Sequence, residues 1–213
     1  MSYAVKEMYY TLQGEGANTG RAAVFVRFAG CNLWSGLEKD RASAVCKFCD
    51  TDFVGVDGPG GGRFPDAIAL ALSIVNTWPT ELPQHARPLV VFTGGEPLLQ
   101  MDEALIEACH VRGLEVAIET NGTRTPPAGI DWICVSPKVG AELVLTSGSE
   151  IKLVYPQDGG EPELYQDLEF DHFFLQPMDG PDLARNTSLA TQYCLAHPQW
   201  RLSLQTHKLL GLR

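Results

Sequence analysis

The chain has 213 residues, of which 45% are hydrophobic and 20% charged, and a formal net charge of −10. That length suits one large α/β domain with a proper core, and nothing in the composition marks a second. The acidic balance excludes nonspecific nucleic-acid binding, which needs a basic footprint. No stretch reaches the roughly 18 apolar residues of a membrane span. The opening MSYAVKEMYYTLQGEG lacks the basic region and apolar run of a signal peptide. Six cysteines, two of them in a CxxC pair, suit a reducing cytoplasm and a metal site better than a disulfide framework.

Residues 5–12 read as a short extended segment carrying Tyr9 and Tyr10. Gln13-Gly14-Glu15-Gly16 follows, and Gly20 closes a loop. Two glycines around an acid usually mark only a turn; the alternative is a loop whose backbone and Glu15 approach a ligand. Residues 22–29, AAVFVRFA, predict a strand from their β-branched and aromatic content. Arg27 interrupts it. Such a cation is either edge-facing and solvated or an anion clamp, because an arginine is rarely buried unpaired.

Next comes the stretch on which the reading turns, CNLWSGLEKDRASAVCKFCDTD. Cys31 is followed by Cys46 after fourteen intervening residues and by Cys49 after two more. Thiolates grouped in this way bind zinc or an iron–sulfur cluster. A structural zinc site would take a fourth ligand from elsewhere, Asp50 or a distant histidine. A cluster with one iron open to a small molecule needs only the three.

Gly55 to Gly62 (GVDGPGGG) reads as a flexible loop. Pro65 and Asp66 then open a helix to about Trp78, with Ile68, Leu72 and Val75 on one face. The wholly apolar 89–93, LVVFT, predicts a strand buried on both sides, hence a parallel sheet, and runs into Gly94-Gly95-Glu96-Pro97. Asp102 starts a helix that turns Leu105, Ile106 and Cys109 to the core and stops at Gly113. Further strands follow at 115–119, 132–135, 150–155 and 172–175, then a helix at about 186–197 and an alternating segment, 201–206. Cys109, Cys134 and Cys194 have apolar neighbours and read as core thiols. Alternating elements of these lengths predict an α/β fold, an incomplete (β/α) barrel of about six parallel strands and about three full crossover helices.

Chemistry in such folds gathers beyond the carboxyl ends of the strands. Here those ends carry Thr93 and Glu96, Glu119 and Asn121, Ser136 and Lys138, Gln176 and Asp179. Each alone reads as a cap or turn residue; together, on the face where the cysteine loop emerges, they predict a lined cavity. A metal–sulfur centre at its mouth reads as an enzyme site rather than a structural staple.

At this point the chain resembles the radical S-adenosylmethionine (SAM) enzymes. The three cysteines, with Phe48 before the last, resemble that superfamily's cluster motif, and Gly94-Gly95-Glu96-Pro97 its GGE motif. The superfamily normally has three residues between the first two cysteines, but an expanded loop is a known variant among the 7-carboxy-7-deazaguanine synthases. The chain resembles that family along essentially its whole length. The marks are Leu12-Gln13-Gly14-Glu15-Gly16, Arg27, Gly30-Cys31-Asn32-Leu33, Cys49-Asp50-Thr51-Asp52-Phe53 and Glu119-Thr120-Asn121-Gly122. Ser136-Pro137-Lys138, Gln176-Pro177-Met178-Asp179 and Gln205-Thr206-His207-Lys208 complete them.

The resemblance implies a single radical SAM domain over 1–213, its expanded loop at 31–49, with a 4Fe–4S cluster on Cys31, Cys46 and Cys49. SAM would lie against Phe48, Cys49, Asp50, Gly95, Glu96, Ser136, Pro137, Lys138, Gln176, Pro177, Met178 and Asp179. Leu12, Gln13, Gly14, Glu15, Arg27 and Thr93 would hold a pterin, and Thr51 would bind Mg2+. Arg213 would stand near the substrate, the terminal carboxylate turning back into the site. The implied reaction contracts the ring of 6-carboxy-5,6,7,8-tetrahydropterin to 7-carboxy-7-deazaguanine with loss of ammonia, on the route to queuosine and other 7-deazapurines. No protein residue carries the radical; the SAM-derived 5′-deoxyadenosyl group does. The family also implies a homodimer served by an electron donor such as flavodoxin or ferredoxin. The other enzyme reading is an activase of a glycyl-radical enzyme, which would share the cluster but often carries further clusters; no second CxxC is present.

Overall fold

The computed structural model of the chain describes residues 2–79 and 87–212. Its strands are β1 (Tyr3–Leu12), β2 (Ala22–Phe28), β3 (Gly62–Phe64), β4 (Leu89–Gly94), β5 (Glu115–Thr120), β6 (Trp132–Val135), β7 (Ser147–Tyr155), β8 (Glu169–Pro177) and β9 (Trp200–Leu202). They form one sheet in the order β3-β1-β2-β4-β5-β6-β7-β8-β9. From β2 to β9 every neighbouring pair is parallel. The parallel run includes each strand expected from the sequence and gains β9 from the alternating segment near 201.

The departure lies at the amino-terminal edge, where β1 pairs antiparallel with both β2 and β3. The reason is reach. Only residues 13–21 separate β1 from β2, whereas a parallel crossover needs a dozen or more. The glycine run 55–62 is also no loose loop: Gly58 N–H donates to the Lys6 carbonyl and Met8 N–H to that of Pro59, at 2.9 and 2.8 Å. A Cβ on Gly61 would stand 2.2 Å from the Lys6 oxygen, so only glycine lets this segment lie along β1.

Three longer helices make the crossovers: α1 (Ala67–Thr77), α2 (Glu103–His110) and α3 (Leu183–Ala196); a short α4 (Thr206–Leu210) follows β9. Each of the first two is started by an aspartate cap. Asp66 accepts from Ala69 N–H at 2.8 Å and Asp102 from Leu105 N–H at 3.0 Å, offsetting donors that a helix start leaves unpaired. Helix α2 buries Leu105, Ile106 and Cys109 as its pattern predicts. Helix α1 buries Ala67, Leu70, Ala71 and Ile74, while Ile68, Leu72 and Val75 stay exposed. Both stripes of α1 are apolar, so periodicity alone could not choose between them; the choice falls to the small residues, which let the helix close on the sheet.

The main core lies between β1, β2, β4, β5 and helices α1 and α2, with Phe28 and Phe92 stacked at 5.7 Å. A second core joins β6, β7 and β8 to α3 around Trp200. On the other face Ala23, Leu89, Val91 and Ala117 pack with Phe25 and Trp132. Burial on both faces is why β4 is apolar without alternation. Cys109 and Cys134 are buried core thiols as expected, and Cys194 is half-buried at the edge of the second core. Ile74→Ala should cost about 2–5 kcal/mol through the cavity it leaves, and Ile68→Ala within about 0.5 kcal/mol; urea unfolding of the two variants would reverse this order if the other stripe of α1 were the packed one.

Candidate active site

The carboxyl ends of the parallel strands, the cysteine loop and the segment leading into α4 enclose a cavity of about 460 Å3. Of the residues expected to hold a cluster, SAM, Mg2+ or substrate, almost all stand on its wall. They are Cys31, Cys46, Cys49, Phe48, Asp50, Thr51, Gly95, Ser136, Lys138 and Gln176 to Asp179, with Leu12 to Glu15, Arg27 and Thr93. Glu96 and Pro137 do not reach it, and Arg213 lies outside the described residues.

Glu96 is fully buried. Its carboxylate accepts from Leu98 N–H (3.0 Å), the Thr120 hydroxyl (2.7 Å) and Asn121 N–H (2.8 Å). Its oxygens are engaged inside the protein, so in this structure it braces strand ends rather than facing a ligand. Gly95 beside it has a packing role as well: a Cβ there would meet the Gly30 oxygen at 2.1 Å and the Cys31 Cβ at 2.7 Å. The turn after β4 therefore presses on the start of the cysteine loop and fixes Cys31.

The expanded loop is ordered by its own side chains. The Arg41 guanidinium lies 4.1 Å from the Trp34 ring centroid and donates to the carbonyls of Lys47 (3.0 Å) and Cys49 (3.1 Å). Asn121 Nδ2 donates to Asn32 Oδ1 at 2.9 Å, tying the loop to the end of β5. Hydrogen bonding from Cys46, with further donors from Thr51, pulls the Cys49 thiol down to about 6, whereas the Cys49 contact and burial push Cys46 up. Burial raises the Cys31 thiol against the N–H groups of Leu33 and Trp34. Near them Lys138 donates to the Ser136 carbonyl and hydroxyl (2.6 and 2.7 Å), with its Nζ 5.9 Å from the Phe48 ring centroid. Burial lowers its pKa, and the nearby Cys46 and Cys49 oppose that.

This donor set fits a 4Fe–4S cluster. Three soft sulfurs face one cavity, one of them already biased toward thiolate, and no fourth cysteine stands on its wall. Among the described residues no three Cys, His, Asp or Glu side chains converge tightly enough to share one metal ion. A multi-iron cluster asks for no such convergence, because each thiolate takes its own iron.

A second group of residues on the cavity wall is ionic. Lys152 of β7 is buried and donates to Glu15 and, at 3.0 Å, to Glu119. The second oxygens of these carboxylates accept from Gln205 (3.0 Å) and Gln13 (2.8 Å). Burial alone would raise the Glu15 pKa, but Lys152, Gln205 and His207 hold it down to about 2. Arg27 is neither solvated nor unpaired: its Nε donates to Glu7 at 2.9 Å and its Nη2 to the Tyr9 hydroxyl at 3.1 Å, with 18% of the side chain exposed. A protein carboxylate thus already meets this cation on the cavity wall. At the rim Lys208 bridges Asp50 (2.8 Å) and Asp179 (2.5 Å), and Thr206 N–H donates to the Gly14 carbonyl at 3.0 Å. These contacts fold the carboxyl-terminal segment across the opening.

Sequence reasoning did not assign Glu7, Tyr9, Lys152, Gln205, His207 or Lys208 a place in the site, although all line the cavity. Glu119 was legible as a strand-end polar group, and a lysine within the apolar run of β7 was a signal of the same kind as Arg27.

An open parallel sheet with three cysteines on a loop after its first parallel strand and a GGEP turn after the next is the reduced core of a radical SAM enzyme. No family profile matches the chain. It is 65% identical over 212 residues to the 7-carboxy-7-deazaguanine synthase of Bordetella pertussis, and 62% identical over 213 residues to that of Bradyrhizobium diazoefficiens, each match covering 100% of both chains. The crystal structure of QueE from Escherichia coli superposes with a TM-score of 0.68 at 28% identity, covering 96% of this chain and 94% of that one. The chain belongs to the 7-carboxy-7-deazaguanine synthase family.

The depressed Glu15 pKa carries a pH dependence. An acid with a lowered folded-state value contributes stability that is complete above its ordinary value of 4.5 and is lost as pH falls through about 2. Glu15→Gln should therefore flatten the fall in thermal midpoint across that window, and parallel wild-type and variant curves would show that the ion pair does not carry it.

Proposed function

We propose that the protein converts 6-carboxy-5,6,7,8-tetrahydropterin to 7-carboxy-7-deazaguanine with loss of ammonia, using SAM and a 4Fe–4S cluster, in the making of queuosine or related 7-deazapurines. The observation that carries this reading is the meeting, in one cavity, of three cluster-type thiols and an ionic set of side chains suited to a charged heterocycle, in a chain matched end to end by synthases. The activase reading finds no such support, since relatives at 59–65% identity are all named as this synthase.

Cys31, Cys46 and Cys49 would hold the cluster, which when bound and reduced supplies the electron that cleaves SAM to methionine and the hydrogen-abstracting 5′-deoxyadenosyl group. The protein's own part is placement and electrostatics. Phe48, Asp50, Gly95, Ser136, Lys138 and the segment Gln176 to Asp179 would hold SAM between the thiols and the rim, with Lys138 offering a cation at half-buried depth. Glu96 and Pro137 would act behind this wall by fixing its backbone. Leu12 to Glu15 and Thr93 would seat the pterin; the amino-pyrimidine edge of a pterin presents N–H donors, which the carboxylates of Glu15 and Glu119 can accept. Arg27 would grip the C6 carboxylate on its open side while Glu7 and Tyr9 fix the plane of its guanidinium, since a planar fork matches a carboxylate with parallel hydrogen bonds. Thr51 would give Mg2+ one hard oxygen, leaving other positions to water or substrate. A cytoplasmic homodimer reduced by a flavodoxin- or ferredoxin-type donor completes the reading.

The deciding experiment is anaerobic reconstitution followed by incubation with reductant, SAM and the carboxypterin. Product should form, more of it with Mg2+ than without, and Thr51→Ala should keep the cluster yet lose the Mg2+ stimulation. Alanine at Cys31, Cys46 or Cys49 should abolish the cluster's absorbance, whereas Cys109→Ala, Cys134→Ala and Cys194→Ala should retain it. Loss of the cluster in one of the latter three, in protein that still folds, would overturn the ligand set.

Arg27→Lys keeps the charge but not the fork, so it should cost roughly 1–3 kcal/mol of substrate affinity. A pterin without the 6-carboxylate should bind wild type about as weakly. Equal wild-type affinity for both pterins in anaerobic calorimetry would refute the clamp.

A further inference from the structure

Lys152 has no part in the reading above, yet it is the most deeply buried cation on the cavity wall. Its side chain is 3% exposed, and its two partners are Glu15 from the β1–β2 loop and Glu119 from β5. Each of those carboxylates spends one oxygen on Lys152 and the other on an amide, Gln205 for Glu15 and Gln13 for Glu119. Both stand on the cavity wall. The other groups around Lys152 do not replace it. Glu150, on the same strand, turns to the Ala17 N–H at 2.8 Å. Burial keeps the Cys134 thiol neutral by pushing its pKa well up, Lys138 is engaged by Ser136, and His207, packed against Gly14, acts on Glu15 rather than on Glu119.

Two carboxylates joined through one buried atom cannot both stay ionised without that atom's charge. Like charges sharing a site push one of the pair up until it holds a proton. A protonated carboxyl donates where the ionised one accepts. We propose that Lys152 is a positioning residue that keeps Glu15 and Glu119 ionised together, so that the cavity presents two carboxylate acceptors to the N–H donors of a flat amino-heterocycle. The heterocycle is taken to be a pterin on the strength of the proposed function. One cation between two carboxylates also leaves this set of groups with a net negative charge, which disfavours an acidic edge there and turns an anionic substituent toward Arg27.

The test uses the holoenzyme with SAM and the oxidised, fluorescent probe 6-carboxypterin, titrated anaerobically over about pH 5–8, where a carboxyl raised by a like-charged neighbour titrates. Wild type should bind with little pH dependence from these groups. Lys152→Met should bind about 10- to 100-fold more weakly near neutrality, the scale of one lost charged hydrogen bond. Its affinity should fall further as pH drops, since one carboxyl is then protonated, and Lys152→Arg should restore the flat profile. Cluster absorbance and SAM affinity should be unchanged in both, which a general loss of structure would not allow. If Lys152→Met does not fold, the double variant Lys152→Met with Glu119→Gln removes the repulsion and should fold and bind weakly with a flat profile. Wild-type affinity and pH profile in Lys152→Met, or a sloping profile in the double variant, would overturn the proposal. Failure of wild type itself to bind the probe would instead count against the pterin reading.

Discussion

The buried carboxylate of Glu96 is the contact on which the arrangement of the site depends. Burying an ionised carboxylate costs several kcal/mol unless its lone pairs are met, and burial does raise the pKa of this one. Three donors from the turn after β4 and the end of β5 offset that cost, while Glu96 N–H donates to the Gly30 carbonyl at 3.0 Å. One residue thereby ties the ends of β2, β4 and β5 to the first turn of the cysteine loop. Since neighbouring parallel strands end on the same side, pinning three of them sets the mouth of the cavity. A residue that does this from behind the wall spends its carboxylate on the frame of the site.

On that frame the cavity wall carries two chemically distinct sets of groups. One is soft, with the three thiols, Phe48 and Lys138; the other is hard and ionic, with Glu15, Glu119, Lys152 and Arg27. The thiols enter on the loop after β2, and Glu119 and Lys152 rise from strands further along the sheet. A cofactor held by sulfur and a polar heterocycle held by carboxylates can then occupy one space without competing for the same ligands. The segment 203–208 closes over both, through Ser203 to the Leu175 carbonyl, Thr206 to Gly14 and Lys208 to the two rim aspartates.

The expanded loop shows how an insertion can be tolerated beside such a centre. Its helical turn, Glu38–Ser43, buries no residue, so packing alone would leave it weakly held. Arg41 compensates with its stack on Trp34 and its two bonds to carbonyls of the CxxC turn itself. Trp34 in turn packs edge-on against the fully buried Phe53 at 5.6 Å. The insertion is thus anchored at the end nearest the cysteines, where a shift would matter most.

Much of this was determined by the sequence alone. The apolar run at 89–93 admits little but a buried parallel strand, and the polar residues that end the strands of such a sheet had to fall on one side of it. Resemblance to the radical SAM enzymes, carried by the three cysteines and the GGEP turn, named the chemistry before any contact was known, and nearly every residue assigned by that resemblance stands on the cavity wall. What the tertiary structure decided is which of two equivalent local readings applied. Helix α1 has two apolar stripes, and only the approach of the sheet selected Leu70 and Ile74 over Ile68 and Leu72. The glycine run 55–62 has a loop's composition, but the neighbouring β1 supplied hydrogen-bond partners that sequence periodicity does not encode. Glu96, Arg27 and Lys152 are the clearest cases. A charged residue in an apolar setting announces that a partner exists, but the partners brought in from other elements are 18 to 137 residues distant, and three-dimensional closure alone determines whether they belong to the protein or to a ligand.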